Sequence, residues 1–159
     1  MINQQPPRNP ITFFAAGKPA AQGSKRLARI NGRTVMIESS RHLHTWRSGI
    51  AHSAHAAGVR VNHDDIELTI KVVWPRPTSH FKRDRCLRDN LPPRPRYLDA
   101  DKICRSVCDA LTGIAYIDDR QVSNLSIERC WCSDDETLGA WVTVRPAESE
   151  GKWVFTTNQ

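Results

Sequence analysis

Apolar and polar residues alternate in this chain with two different periods, and the switches between them mark out its elements. Residues 66–74, IELTIKVVW, place Ile66, Leu68, Ile70, Val72 and Trp74 at every second position, which predicts a half-buried strand stopped by Pro75 and Pro77. The run Ile11–Gly17, ITFFAAG, is a shorter apolar segment closed by a glycine and predicts another strand. In INGRTVMI, Asn31-Gly32 predicts a tight hairpin between two short strands. Toward the C-terminus QVSNLSIERCWC predicts a strand with Leu125, Ile127 and Trp131 on one face, and DDETLG reads as a hairpin loop. In the last strand, AWVTVRP, Trp141 and Thr143 share one face and Val142 and Val144 the other, the valine face being the core side.

Two segments change period. Leu43, Trp46, Ile50, Ala54 and Ala57 recur three or four residues apart and predict a helix that Ser39-Ser40 can cap and Gly58 closes. A second helix is predicted over Asp101–Leu111 and ended by Thr112-Gly113, with Ile103, Val107, Ala110 and Leu111 on its core arc. Ile114–Ile117, IAYI, reads as a short strand or extended run. The fold class expected is α+β: a mixed β-sheet with two main helices packed on it, in one domain over residues 11–147. Residues 1–10 read as a loose leader and 148–159 as a C-terminal tail.

Charge changes the picture next. The chain has 23 Lys+Arg against 17 Asp+Glu, a formal charge of +6, which points to an anionic partner, nucleic acid first. Lys18, Lys25, Arg26, Arg29 and Arg33 lie in one stretch with no acid before Glu38, as a phosphate-contacting arm or a solvated loop would. Residues 78–97, TSHFKRDRCLRDNLPPRPRY, have no apolar period and carry Lys82, Arg83, Arg85, Arg88, Arg94 and Arg96, which predicts a long basic loop ordered only on DNA or functional in itself. No apolar run is long enough to span a bilayer, and the first residues show no secretory signal. Five cysteines without a C-x-x-C pair read as reduced cytosolic thiols rather than a zinc site. His42, His44, His52 and His55 read as a solvated helix face.

Against this basic background, Asp99–Val122 gathers Asp99, Asp101, Asp109, Asp118 and Asp119. Each has an ordinary reading: helix cap, i,i+4 pair of Asp101 with Arg105, or turn residue. Together they offer something else. Asp101, Arg105 and Asp109 form a polar stripe opposite the core arc, Asp99 stands just before the helix, and Asp118-Asp119 follow it. Phosphodiester cleavage needs an activated water, charge neutralisation on the phosphoryl oxygens and help for the leaving oxygen, and carboxylate-held Mg²⁺ supplies these.

The run LDADKICRSVCDALTGIAYIDDRQV (98–122) resembles the signature of the RusA-type Holliday-junction resolvases: D-x-D, a basic residue, D-A-L-T-G, then D-D-x-Q-V. GKPAAQGSKR and the tryptophan-bearing helix are similar to the phage branch of that family. The resemblance implies a small α+β endonuclease that works as a homodimer, binds four-way DNA and makes paired nicks with Mg²⁺ or Mn²⁺ and no small-molecule cofactor. It implies action in the cytoplasm of a bacterial host and, by position, Asp99, Asp101 and Asp119 as catalytic metal-binding carboxylates, with the neighbouring Asp118 as a further metal ligand. The family's catalytic lysine falls at Arg105, which keeps the charge without a tunable proton. Lys102 stands where many members have asparagine. The DNA-binding residues expected are Lys25, Arg26, Arg29, Lys82, Arg83, Arg85, Arg94, Arg96 and Lys102, with Asp109 read as structural. The alternatives are a non-catalytic basic protein that binds branched DNA, or a nuclease for flaps and forks.

Overall fold

The alternation of β4, Ile66–Trp74, sets the architecture: Ile66, Leu68, Ile70, Val72 and Trp74 are all buried, while Thr69 on the opposite face is exposed. The computed structural model describes residues 9–23, 25–38, 42–132 and 137–147. The Ser39-Ser40 cap, the Asp134-Asp135 pair, most of the leader and the tail lie outside them, as do the side chains of Lys25 and Arg26.

The element order is β1 (Ile11–Ala16), β2 (Lys25–Ile30), β3 (Arg33–Glu38), α1 (Leu43–Ala56), β4, α2 (Ala100–Leu111), β5 (Val122–Trp131) and β6 (Gly139–Pro146). Four strands form one sheet in the order β1-β6-β4-β5. β4 pairs antiparallel with β6 and parallel with β5, so the sheet is mixed. A parallel neighbour needs a crossover, and the long basic loop followed by α2 provides it. The fold is thus the α+β domain expected, with two helices on a mixed sheet.

Register carries one face of the sheet into the core. Phe13 pairs with Val142, Val142 with Ile70, and Ile70 with Ile127. Phe13, Val142 and Val144 are buried and Trp141 is 41% exposed, so the valines do face inward. Trp141 stacks at a tilt on Phe14, 5.0 Å between ring centres, on the far face.

α1 buries Leu43, Trp46, Ile50 and Ala54. Ala57 is its exposed C-cap rather than a packed position, because Gly58 at φ 81° turns the chain back: Gly58 N donates to His55 O and Val59 N to Ala54 O. α2 buries Ile103, Cys104, Ser106, Val107, Cys108, Ala110 and Leu111. The helices are locked by one polar link inside the core. Trp46 Nε1 donates to Ser106 Oγ at 3.1 Å, and Ser106 Oγ donates to Ile103 O at 2.8 Å, so both buried polar groups are satisfied.

Ile114–Ile117 is a turn, not a strand. Ile114 N and Ala115 N both bond back to Leu111 O, and Gly113 N bonds to Tyr116 O. The reason is Tyr116. Its ring is fully buried and its hydroxyl donates to Cys108 O at 2.7 Å, which folds the segment against the end of α2.

β2 and β3 form a separate two-stranded ribbon. Its turn is the one Asn-Gly predicts, with Asn31 at φ 49° and Gly32 at φ 77°. Leu27 is 70% and Met36 64% exposed, so the ribbon projects from the body rather than packing on it.

Candidate active site

α2 holds two kinds of residue because its helical twist separates them. The buried arc packs on the sheet, and Asp101 and Arg105 are exposed on the other side. Asp99 is the residue before the helix, in extended conformation, and its side chain makes no cap hydrogen bond. It instead meets Lys102 one turn on, Oδ2 to Nζ 2.7 Å. That hydrogen bond, with the lysine charge, holds the Asp99 carboxyl below the usual carboxylate range and raises Lys102.

The Asp118-Asp119 pair divides its work. Asp118 is the N-cap of a single 3₁₀ turn, Asp119–Gln121, and accepts from Arg120 N at 3.0 Å. Both of its carboxylate oxygens also take Arg120 guanidinium hydrogen bonds, at 2.9 and 3.0 Å. These bonds pull its pKa down to about 2. Asp119 is the exposed member. Besides burial, its charge adds to the upward shift at Cys108 and Tyr116, and that of Asp101 adds to the one at Cys104, one helical turn earlier. Burial pushes the Cys104 thiol up to about 11 and raises Cys108, so both stay protonated at neutral pH. The donors offered there are hard carboxylate oxygens, not thiolates.

Among the described residues no three His, Cys, Asp or Glu side chains stand together as a ready-made metal cage. Mg²⁺ does not demand one, since it keeps several waters and takes one or two carboxylates with the substrate's phosphate. Exposed Asp101 and Asp119 suit that chemistry; Asp99 must first part from Lys102, and Asp118 is already engaged by Arg120. The histidines expected to be solvated, His42, His44, His52 and His55, are all exposed.

The Asp101–Arg105 pair is absent among the described residues, and Asp109 is taken up elsewhere. Gln22 Nε2 donates to Asp109 Oδ2, and Arg47 Nη1 stands 3.8 Å from the same oxygen. Gln22 N also donates to Lys102 O at 3.0 Å. A Cβ on Gly23, at φ 99°, would lie 3.4 Å from Arg105 Nη1. The loop before the β2–β3 ribbon is therefore docked along α2, and the ribbon starts beside Arg105. Gln22 shows no signal in the sequence beyond its place in the GKPAAQGSKR stretch.

The basic loop is ordered. Arg94 Nη1 meets Glu128 Oε1 at 2.9 Å, Trp131 Nε1 donates to Pro92 O, and Arg129 Nη1 donates to Leu98 O. Arg88 bonds back to His80 and Phe81 carbonyls. Lys82 stands 3.5 Å from Asp89, and Arg83 and Arg96 are exposed. Arg85 sits in the left-handed region at φ 66°, a conformation uncommon for a side-chain-bearing residue. Lys102 lies beside Asp99; Arg29 is exposed on the ribbon.

The family model of Endodeoxyribonuclease RusA matches residues 16–145, which takes in the docked loop, both helices and the Asp99–Val122 run. The chain belongs to the RusA endodeoxyribonuclease family. No individual curated protein matches it. The match begins at the last residue of β1 and ends inside β6, so it spans the frame that positions the docked loop, α2 and the Asp119 turn. Among the described residues no helix is long and apolar enough to cross a membrane.

Gln121 is the residue whose role the sequence leaves silent. Its Oε1 accepts from Ile117 N and Asp118 N at 2.8 and 3.1 Å, and its Nε2 donates to Asn62 O and Asp64 O at 3.1 and 3.0 Å. It thereby fixes the Asp119 turn to the loop after α1. Its presence in D-D-x-Q is the one sequence signal for this.

Proposed function

We propose that this chain is a metal-dependent, structure-selective endonuclease that resolves four-way DNA junctions by paired phosphodiester hydrolysis, in recombination and repair. The observation that carries the reading is the separation of roles among the five aspartates: Asp109 and Asp118 are occupied by structural partners, while Asp101 on α2 and Asp119 on the turn that follows remain exposed. In this reading Asp99, Asp101 and Asp119 hold Mg²⁺ or Mn²⁺, with Asp118 positioning Asp119. The bound ion would supply a water nucleophile at neutral pH and neutralise charge on the phosphoryl oxygens.

The chain's own groups do the rest. Arg105, exposed one turn beyond Asp101, stabilises negative charge on the phosphoryl group and offers no proton. Lys102 accompanies Asp99 and passes to the DNA backbone when Asp99 turns to the metal. Lys25, Arg26 and Arg29 on the ribbon, and Lys82, Arg83, Arg85, Arg94 and Arg96 on the loop, hold the flanking arms through phosphates. A homodimer matches the two symmetry-related strands to be nicked. Residues 11–147 form the nuclease domain, with 1–10 and 148–159 as flanking segments. By its resemblance to the phage branch, it works in the cytoplasm of a bacterial host.

The test is a synthetic four-way junction, with flap and fork substrates alongside. The wild-type chain cuts the junction in Mg²⁺, and Asp101→Asn lowers cutting more than about 100-fold while junction binding is kept or tightened, since a carboxylate that repels phosphate is gone. The Asp99–Lys102 pair and Arg105 favour a second reading, a branched-DNA-binding protein without cleavage. It takes over if junctions are bound but left intact in both Mg²⁺ and Mn²⁺; preferential cutting of flaps or forks would instead redirect the substrate.

A further inference from the structure

A cavity of about 390 Å³ opens at the C-terminal end of β4, lined by Lys18, Pro19, Trp74, Pro75, Tyr97, Leu98 and Leu138. Four parts of the chain build it: the loop after β1, the proline-stopped end of β4, the two residues before Asp99, and Leu138 just before β6. Its size falls within the roughly 300–1,000 Å³ of small-ligand pockets. Its walls are aromatic and apolar, and among the described residues its only charged lining residue is a lysine and no acid lines it.

Tyr97 is the part that decides what fits. It is 49% exposed, yet its ring is held from behind. Trp131 meets it edge-on at 5.8 Å and 82°, and Trp74 at 6.1 Å and 54°. Trp131 is fixed in turn by His80 at 5.1 Å, by Arg76 over its ring at 5.3 Å and by its bond to Pro92 O. A half-exposed aromatic ring braced by two others is a rigid platform, and it stands two residues before Asp99, one of the carboxylates proposed to hold the metal.

We infer that this cavity takes one unstacked nucleobase from the branch point of the DNA, stacked on Tyr97, with Lys18 on the adjoining phosphate. The inference rests on the nuclease reading above and deepens it. A branched substrate differs from a linear duplex in having bases at the crossover that can leave the stack at small cost, and every base presents a π face to an aromatic ring. The cavity thus selects structure without reading sequence, whereas phosphate contacts along the arms are common to any duplex.

The experiment uses the full Asp101→Asn chain, so that the DNA stays intact, and four-way junctions with 2-aminopurine placed singly at each nucleotide flanking the branch. At one of these positions Tyr97→Ala brightens the emission of the bound complex severalfold, because the base has lost its quenching partner, and Tyr97→Phe leaves it as it was. Tyr97→Ala lowers junction affinity on the order of tenfold with affinity for a linear duplex unchanged. Lys18→Ala, which leaves the aromatic brace alone, also weakens the junction relative to the duplex. The inference is overturned if junctions are bound but emission at every flanking position is the same with and without the Tyr97 ring, or if both variants weaken junction and duplex equally. A parent chain that binds no branched DNA removes the nuclease reading and this one with it.

Discussion

α2 and the loop leading into the β2–β3 ribbon meet at Gly23 and Arg105, but helix and ribbon are built on opposite terms. Ile103, Val107 and Leu111 of the helix are completely buried, and a hydrogen bond from Trp46 anchors its centre. The ribbon exposes Leu27, Ile30, Val35 and Met36, and a two-stranded hairpin by itself is marginally stable in water. In the proposed reading, the groups that act on one phosphate sit on the element whose position the core dictates, and those that follow a DNA backbone of variable path sit on the element that can yield. Among the described residues, the docked loop tethers the ribbon to α2 through the Gln22 bonds to Lys102 and Asp109.

The sharpest way to break this contrast is to remove the same sort of side chain from each element. Ile103→Ala is expected to destabilise the fold by about 2–5 kcal/mol, through lost burial and the cavity left behind. Leu27→Ala is expected to stay within about 0.5 kcal/mol, as other exposed positions do. Denaturant unfolding of the two variants checks this, and equal losses would mean that the ribbon is part of the core. A smaller effect separates binding from folding. Arg29→Ala and Arg33→Ala should each lower the slope of log binding constant against log salt by about 1 on junction DNA, with the melting temperature unchanged. An unaltered slope would take those two cations off the DNA.

A pH-dependent effect belongs to the buried face of α2 and the Tyr116 turn packed on it. Burial raises the Cys104 thiol to about 11 from an ordinary value of 9.0, and Cys108 and Tyr116 are raised as well. A group whose pKa is raised by folding holds its extra proton in the native state, so its contribution is whole below the unfolded value and is lost as pH climbs through the folded one. Stability should therefore fall between pH 9 and 11, and Cys104→Ala should make that fall shallower, the remainder belonging to Cys108 and Tyr116. Unfolding midpoints across that window measure it; an unchanged slope would show that Cys104 ionises as easily folded as unfolded.

Much of the frame was legible because period and partner coincide. The alternation in β4 and the helical spacing of α2 correspond to the faces that are buried, and Asn31-Gly32 names its own turn chemistry. What failed was local reading where a distant contact decides. Ile114–Ile117 has strand-like composition, yet the Tyr116 hydroxyl on Cys108 O bends it into a turn. The Asp101–Arg105 pairing was reasonable by spacing alone, but Gln22 and Arg47 on other elements claim Asp109, and the docked loop comes up against Arg105. The long basic loop has no periodicity because it is held by single links, such as Tyr97 on Trp131 and Arg94 on Glu128, that no window along the chain contains.

Gln121 gives the molecule a datum, in the sense a machinist would use. Four backbone groups, two before the Asp119 turn and two after α1, are located against one amide side chain. An amide offers both polarities at once; a carboxylate of equal length could receive the two N–H groups but would turn an oxygen on the carbonyls of Asn62 and Asp64. Asp119 is therefore gauged from the end of α1, and Asp101 from α2, which α1 itself clamps through Trp46 and Ser106. Both carboxylates inherit their coordinates from a single helix that carries no acidic residue of its own.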